Sequence, residues 1–150
     1  MLKITVIAPG KLKEQFWRNA CAEYQKRLGN YVNLCVRELP DSTPEKEGNA
    51  ILAVIESLSG EVYTILLDIE GVPRSSEDIA AQLDKLAVHG ISHIAFIIGG
   101  SEGVSNCVRT AANERISFGP ITLPHNLARV VLFEQLYRAC KILRHEPYHK

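Results

Sequence analysis

The sequence predicts an α/β fold, in which a mostly parallel sheet carries helices on both faces, and three observations support this prediction. Apolar segments of strand length alternate with amphipathic segments of helix length along the whole chain. The segment Val62–Leu67 is apolar apart from Thr64, as in a strand that is buried on both faces. The length of 150 residues suits one domain, because such a chain buries a core without cross-links.

The first half of the chain predicts two strand–helix units. A strand over Leu2–Ala8 precedes a helix over Glu14–Leu28, whose apolar side chains recur on one face. A second strand over Val32–Leu39 precedes a helix that covers roughly Glu45–Leu58. Glycine closely follows both helices, which is a common way for a helix to end.

The middle of the chain repeats this pattern. The strand Val62–Leu67 leads to a helix that opens at Ser75 and runs to His89. Ser75 and Asp78 have the spacing of a capping box, in which each side chain binds the backbone N–H of the other residue. An apolar strand over Ser92–Ile98 follows.

The C-terminal third holds the most distinctive segment. After a helix over Ser105–Ala112, a short strand at Ile116 leads through an uncharged loop to a helix that begins near Asn126, a residue suited to capping. The apolar positions of this last helix are too many for one stripe, and they are Leu127, Val130, Val131, Phe133, Leu136, Ala139, Cys140 and Leu143. Such a helix packs on more than one side, so it lies centrally in the fold or at an oligomer interface.

The chain ends on Pro147, Tyr148, His149 and Lys150. Such an ending is either a fraying polar terminus, which is the usual fate of chain ends, or a functional segment with a stacking ring and a titratable imidazole. In both cases we expect these residues to add almost nothing to the core.

The charges are segregated along the chain, although the net charge is zero. Residues 1–37 hold seven Lys and Arg against two acids, residues 38–104 hold three against twelve, and residues 105–150 hold seven against three. This distribution either arises by chance or reflects a basic face formed by the two ends of the chain. The second interpretation predicts a polyanionic partner such as RNA.

Composition argues against membrane, secreted and metal-binding classes. The longest apolar runs are too short to cross a bilayer, and Pro9-Gly10 interrupts the N-terminal strand before a signal-peptide core could form. Four cysteines have the spacing of neither a zinc site nor a disulfide framework, and they are Cys21, Cys35, Cys107 and Cys140. We therefore expect buried, reduced thiols in a cytoplasmic protein without a metal site or membrane segment.

Three loops follow the last three strands, and ligands of open parallel sheets bind beyond the carboxyl ends of strands. These loops cover residues 66–71, Gly99–Gly103 and Phe118–Leu123. Glycine lets backbone approach a ligand closely, and the uncharged third loop suits an adenine ring that is held by backbone groups. The glycine spacing alone also fits a tight turn, and neither the dinucleotide fingerprint nor the phosphate-binding loop is present.

The sequence resembles the RlmH family of ribosomal large-subunit methyltransferases, which belongs to the SPOUT superfamily. Four motifs carry the resemblance, and they are the strand end Leu66–Asp68, the loop Ile97–Gly103 (IIGGSEG), the run Ile121–Arg144 and the ending Pro147–Lys150 (PYHK). The resemblance covers the whole chain, and its two C-terminal motifs are specific. It implies a C-terminal trefoil knot, S-adenosylmethionine as methyl donor, a homodimer, and methylation at N3 of a pseudouridine in 23S rRNA.

The resemblance also implies which residues bind the donor and the RNA. The donor-binding positions would be Leu67, Gly99, Phe118, Gly119, Pro120, Ile121, Thr122 and Leu123. The substrate-binding positions would be His125, Arg129, Arg138, Tyr148, His149 and Lys150. In a homodimer, the tail of one chain would complete the pocket of the other.

Residue chemistry is consistent with these roles. A sulfonium donor needs no metal and no covalent enzyme intermediate, so the rate comes mainly from alignment of the reacting atoms. The N3–H of the target base must lose its proton, which makes His149 the expected base and His125 the next candidate. Tyr148 would stack on the target base, and the cationic positions would bind phosphates. We expect Asp68 and Glu102 to cap loops.

A function of a second class stays open. The chain could be a ribosome-binding assembly factor that kept the fold and lost the reaction. The intact glycine loop and PYHK ending argue against that interpretation. A SPOUT enzyme that acts on tRNA is disfavoured, because the chain carries no appended RNA-binding domain.

Overall fold

The computed structural model describes residues 1–148, which form one sheet with helices on both faces. All five strands are parallel and lie in the order β2-β1-β4-β3-β5. They are β1 (Lys3–Pro9), β2 (Asn33–Leu39), β3 (Tyr63–Pro73), β4 (His93–Ile98) and β5 (Glu114–Ser117). The predicted α/β class and parallel sheet are therefore confirmed, while the knot stays a prediction of the resemblance.

The helices alternate with the strands, as the sequence predicts. They are α1 (Gln15–Leu28), α2 (Pro44–Ser57), α3 (Ser76–Val88), α4 (Asn106–Ala111) and α5 (His125–Leu143). On one face of the sheet, α1, α3 and α5 pack against side chains such as Ile4, Val6 and Phe96. On the other face, α2 and α4 pack against Ile7 and Leu66. Neighbouring positions of one strand thus serve opposite layers, as the pleat requires.

Helix α5 lies centrally in its layer, between α1 and α3. Its buried apolar side chains are Leu132, Phe133, Leu136, Ala139 and Cys140. This position explains why the helix is apolar on more than one side, and it confirms the predicted packing. The oligomer interface, which the pattern allowed as the other explanation, stays a prediction.

Strand β3 continues beyond its predicted end. It was expected to end at Leu67, but it reaches Pro73 because it pairs with β5 twice, up to Leu67 and again from Val72. The residues between bulge out of the pairing. Gly71 sits against the β5 backbone, where an added Cβ would lie 2.7 Å from the carbonyl carbon of Arg115. The segment after Leu67, which the sequence predicts as a loop, is therefore a bulge within one strand.

The two predicted helix starts have different outcomes. The capping box of α3 is confirmed, since Ser75 Oγ accepts from Asp78 N at 3.0 Å and Asp78 Oδ2 accepts from Ser75 N at 3.0 Å. At α5 the predicted cap is wrong, because Asn126 lies inside the helix and Pro124 takes the N-cap position without a side-chain hydrogen bond.

The prediction that all four cysteines are buried is wrong for two of them. Cys21 and Cys140 are buried, and burial raises the pKa of the Cys140 thiol to about 11. Cys35 and Cys107 are exposed, because Cys35 lies on the edge strand β2 and Cys107 in the first turn of α4. All four are free thiols, as predicted.

Candidate active site

A cleft of about 690 Å³ lies at the carboxyl ends of three adjacent strands. The strand order places β4, β3 and β5 side by side, so the loops that follow β4 and β5 meet the bulge of β3 although these segments are distant in the sequence. The amino end of α5 closes the cleft through Pro124, His125 and Ala128. This volume is in the range of pockets that hold a small molecule.

The predicted donor-binding residues converge on this cleft. Leu67, Gly99, Phe118, Gly119, Ile121, Thr122 and Leu123 line it. Pro120 is the exception, since it is not part of the wall. His125, which was predicted as a substrate residue, lines the same cleft. The role of Leu67, Gly99 and the loop Phe118–Leu123 in donor binding stays a prediction, and this convergence supports it.

Side chains pack closely against the glycine loop Gly99–Gly103. A Cβ on Gly99 would lie 2.5 Å from Val104 Cγ2, and one on Gly100 would lie 2.6 Å from Glu47 Oε1. A side chain at either position would therefore force Val104 or Glu47 to move. Gly103 closes the turn with a φ of 92°, and its N–H donates to the Gly100 carbonyl at 3.1 Å.

Glu47 is a buried acid that sequence reasoning missed. It lies in the first turn of α2, its side chain borders Gly100, and its Oε2 accepts from Ser42 N at 2.9 Å. An acid in the first turn of a helix is common, because it interacts favourably with the helix dipole. The sequence pattern therefore could not distinguish Glu47 from an ordinary exposed acid.

The third loop offers backbone rather than charge. Gly119 has a φ of 106°, which a side chain would strain. Ser117 Oγ accepts from Gly119 N at 3.1 Å and so fixes the start of the loop. Ile121 is 71% exposed, which leaves an apolar side chain at the edge of the cleft. A loop of this kind suits an uncharged heterocycle.

Charge on the cleft wall comes mainly from Asp68 and Arg109. Asp68 is buried, and its Oδ2 accepts from Arg109 Nε at 3.2 Å and from Arg115 Nη1 at 3.4 Å. Its Oδ1 accepts from Glu70 N at 3.1 Å, which is the loop cap that the sequence predicted. The ion pairs were missed, because Arg109 and Arg115 lie 41 and 47 residues further along the chain.

Arg129 requires a correction. It was predicted to bind RNA phosphate, but it is only 3% exposed and its charge is matched inside the protein. Its Nη1 donates to Glu38 Oε2 at 2.6 Å, and its Nη2 donates to the Gly10 carbonyl at 3.1 Å. Arg129 therefore joins α5 to the carboxyl ends of β1 and β2 and has almost no exposed surface for a phosphate.

Arg138 and Tyr148 contact each other at the other end of α5. Arg138 Nη2 donates to Glu134 Oε2 at 2.7 Å, and its guanidinium lies 4.7 Å from the centre of the Tyr148 ring. Tyr148 Oη donates to the same Glu134 oxygen at 2.9 Å, and its ring meets the Tyr137 ring edge to face at 4.9 Å. Burial, together with Glu134, raises the pKa of Tyr148 to about 12.

Tyr148 packs on α5 without joining the buried core, so the expectation that the tail adds almost nothing to the core stays a prediction. His149 and Lys150, the expected base and phosphate contact, lie outside the described residues.

Among residues 1–148, no residue of the tail lines the cleft. Tyr148 contacts Glu134 of α5, which lies nine residues beyond His125 at the cleft. At 1.5 Å per residue, this contact is roughly 14 Å along the helix from the cleft. Within residues 1–148, no cluster of three or more His, Cys, Asp or Glu side chains could hold a metal, and no helix is long and apolar enough to span a membrane.

Comparison with known proteins gives full-length matches. The family described as "Predicted SPOUT methyltransferase" matches residues 2–149. A ribosomal RNA large subunit methyltransferase H of Listeria monocytogenes serotype 4a (strain HCC23) is 48% identical over 162 aligned residues, which cover 99% of this chain and 100% of the relative. Proteins of the same name from Listeria monocytogenes serovar 1/2a (strain ATCC BAA-679 / EGD-e) and Bacillus thuringiensis (strain Al Hakam) are 48% and 44% identical, with equal coverage.

These matches extend over the cleft loops, α5 and the start of the tail, so they include every described part of the candidate site. The chain therefore belongs to the SPOUT methyltransferases, in the family of the ribosomal RNA large subunit methyltransferases H.

Proposed function

We propose that this chain transfers a methyl group from S-adenosylmethionine to N3 of a pseudouridine in 23S rRNA of the large ribosomal subunit. One observation supports the donor site above all others, namely that three loops from separate parts of the sequence converge on one cleft. The names of the relatives support ribosomal RNA of the large subunit as substrate. A protein that acts on this RNA works in the cytoplasm, where we expect to find it.

The residues of the cleft fit the proposed donor. The uncharged loop Phe118–Leu123 presents backbone groups that can pair with the edge of an adenine. Gly99 and Gly100 bring backbone close to the ligand on the opposite wall, while Leu67 and Ile98 provide apolar surface. When bound, S-adenosylmethionine supplies an electrophilic methyl group. The cleft residues orient that group and exclude water from it.

Two protomers would build each complete site. Tyr148 does not line the cleft of its own chain, since it contacts Glu134, which lies roughly 14 Å along α5 from His125. A two-fold homodimer, the commonest symmetric assembly, can place the tail of one protomer beside the cleft of its partner. The separation within one chain therefore supports a site that is shared between subunits.

A neutral imidazole would remove the N3 proton of the target base. His149 is the expected base, and His125 is the alternative because it lines the cleft. Tyr148 is not a suitable base, since its raised pKa of about 12 keeps the phenol protonated at neutral pH. Its ring suits stacking on a base, as aromatic side chains do in RNA recognition.

Phosphate binding would come from cations near the tail. Arg138 is 25% exposed and Lys150 follows the stacking residue, so both are candidates. Arg129 is removed from this group, because its burial and its ion pair with Glu38 leave it no access to RNA.

The decisive test is mass mapping of 23S rRNA from cells that lack this protein. We expect the loss of one methyl group from one pseudouridine and its return when ribosomal particles are incubated with the purified protein and S-adenosylmethionine. An unchanged methylation pattern would contradict the proposal.

The alternative, an inactive ribosome-binding assembly factor, makes a different prediction. Such a protein has no need for a donor, so calorimetry with S-adenosylmethionine would give no heat of binding. We expect binding instead, because the cleft residues fit the donor.

A further inference from the structure

Arg109 is the only Lys or Arg on the cleft wall among the residues that the structure describes. Its Nε donates to Asp68 Oδ2 at 3.2 Å, and its Nη1 donates to Asn106 Oδ1 at 3.1 Å. Within residues 1–148, no hydrogen bond uses its Nη2. The side chain is 32% exposed, so this part of the guanidinium is open to a ligand.

Two contacts hold the guanidinium in one orientation. Asp68 is rigid, because its side chain is only 4% exposed and the N–H of Glu70 donates to its other oxygen at 3.1 Å. Asn106 holds a second nitrogen from the first turn of α4. A guanidinium that is already oriented binds a carboxylate through its remaining N–H groups and loses little side-chain entropy.

The rest of the wall makes Arg109 the place where an anion is favoured. The loop Phe118–Leu123 is uncharged, and the glycine loop offers backbone. S-adenosylmethionine has one anionic group, the carboxylate of its amino-acid end. Among the described residues of the wall, a carboxylate meets a full positive charge only at Arg109, and a charge-assisted hydrogen bond is stronger than a neutral one.

We propose that Arg109 binds the carboxylate at the amino-acid end of the methyl donor and that Asp68 is the positioning residue for Arg109. The inference rests on the proposed function, since it takes S-adenosylmethionine as the donor. It assigns the two ends of the ligand to different walls, the heterocycle to the uncharged loop and the carboxylate to α4. Ligands with the amino-acid end should therefore depend on Arg109, and ligands without it should not.

Two available compounds separate these cases by calorimetry on the full chain. S-adenosylhomocysteine keeps the amino-acid end, whereas 5′-methylthioadenosine has the nucleoside and thioether without it. We expect Arg109→Gln to weaken the binding of S-adenosylhomocysteine by about tenfold or more, since a charge-assisted contact is lost. The same variant should change the affinity of 5′-methylthioadenosine by less than about twofold.

Arg115 provides a matched control. Its Nη1 also donates to Asp68 Oδ2, at 3.4 Å, but it is not part of the cleft wall. Arg115→Gln removes the same charge and a contact to the same carboxylate while the wall stays intact. We expect both ligands to bind this variant within about twofold of the parent affinity. Thermal melting of both variants checks that each is folded.

Three results would overturn the assignment. Arg109→Gln could leave the binding of S-adenosylhomocysteine unchanged, or it could weaken both ligands equally. Arg115→Gln could cause the same selective loss, which would place the effect in the charge of Asp68 instead of a contact with Arg109. Failure of the proposed function is distinguishable, because the parent protein would then bind neither S-adenosylhomocysteine nor S-adenosylmethionine, and both proposals would fall together.

Discussion

The two ends of helix α5 differ in the groups that surround them. At its amino end, Pro124, His125 and Ala128 border a cleft whose other walls are backbone and uncharged loops. At its carboxyl end, the ring of Tyr148 packs on Tyr137, and charged groups surround both. One end depends on strand connections and glycine, and the other depends on aromatic rings and ion pairs.

A helix-ending motif folds the tail back onto α5. His145 N donates to the Ile142 carbonyl at 3.1 Å and Glu146 N donates to the Lys141 carbonyl at 3.0 Å, which together form a Schellman motif. His145 takes the left-handed conformation of that motif, with a φ of 54°. An ion pair between Lys141 and Glu146, at 2.9 Å, spans the same turn. The turn directs Tyr148 toward the side of the helix.

This difference suggests a division of labour between the two ends. The amino end is held by the buried ion pair of Arg129 with Glu38, while His125 and Ala128 stay partly exposed at the cleft, where a small molecule can reach them. The carboxyl end is held by partly exposed ion pairs, which contribute little to stability and can exchange for contacts with RNA. Changes at the amino end should act on donor binding, while changes at the carboxyl end should act on methyl transfer.

Removal of Pro147–Lys150 should have the largest effect and would test the comparison directly. We expect single-turnover methylation of ribosomal particles to fall by at least about 100-fold, since the expected base and the stacking ring are both lost. Donor affinity should stay the same, because no described residue of the tail lines the cleft of its own chain. The free energy of unfolding should fall by about 1 kcal/mol, since Tyr148 loses its contact with Tyr137.

Calorimetry with S-adenosylmethionine and thermal melting of the truncated protein serve as controls. Methylation at the parent rate would show that the tail has no role in the reaction, and His125 would become the leading candidate for the base.

Substitution of Gly99 by valine should impair donor binding in the cleft at the amino end of α5. We expect donor affinity to fall by about tenfold or more, because the new side chain enters the wall and overpacks Val104. Calorimetry measures the affinity, and circular dichroism checks the fold. The double variant Gly99→Val, Val104→Ala relieves the overpacking against Val104 but leaves the added side chain in place. Its donor affinity therefore separates these two causes. Normal donor affinity in Gly99→Val itself would remove Gly99 from the donor site.

A mixture of these two damaged chains would sharpen the comparison. In a shared site, the cleft of the truncated chain and the tail of the Gly99→Val chain combine in a mixed dimer. Random assembly gives half mixed dimers with one intact site each, so we expect about a quarter of the parent activity. Activity that does not exceed that of the separate variants would show that cleft and tail act within one chain, or that the chain does not form dimers.

His145→Gly should give the smallest effect. Glycine adopts the left-handed conformation without the strain that a side chain causes, so we expect the free energy of unfolding to rise by about 1 kcal/mol. Urea denaturation measures this change. His145→Ala retains the strain and is the control, and it should show no gain. A loss of stability in His145→Gly would indicate that the His145 side chain makes a contact worth more than the strain.

The sequence predicted most of the fold, because burial leaves a local periodic trace. The capping box of Ser75 and Asp78 was found from spacing alone, and the strand and helix order is correct throughout. The misplaced boundaries have local causes. Pro124 caps α5 although its side chain cannot accept a hydrogen bond, and β3 continues past Leu67 because β5 pairs with it again.

The candidate site was predicted in its parts and only partly in its arrangement. Gly99 and most of the loop Phe118–Leu123 do meet in one cleft, since the strand order places their strands side by side. Arg129 was misjudged because its partner Glu38 is 91 residues away, and nothing local marks a buried arginine. Glu47 was missed because an acid in the first turn of a helix is ordinary, and only its contact with Gly100, far along the chain, distinguishes it.

The sequence by itself determined the order of strands and helices, the parallel sheet and the family. These properties follow from side-chain periodicity and from motifs that lie within short segments. Only the tertiary structure decided that Arg109 and Asp68 share the cleft wall, that Arg129 is buried, and that Tyr148 packs on the side of α5. The physical reason is that each of these facts depends on contacts between segments far apart in sequence, and such contacts leave no periodic signal in either segment.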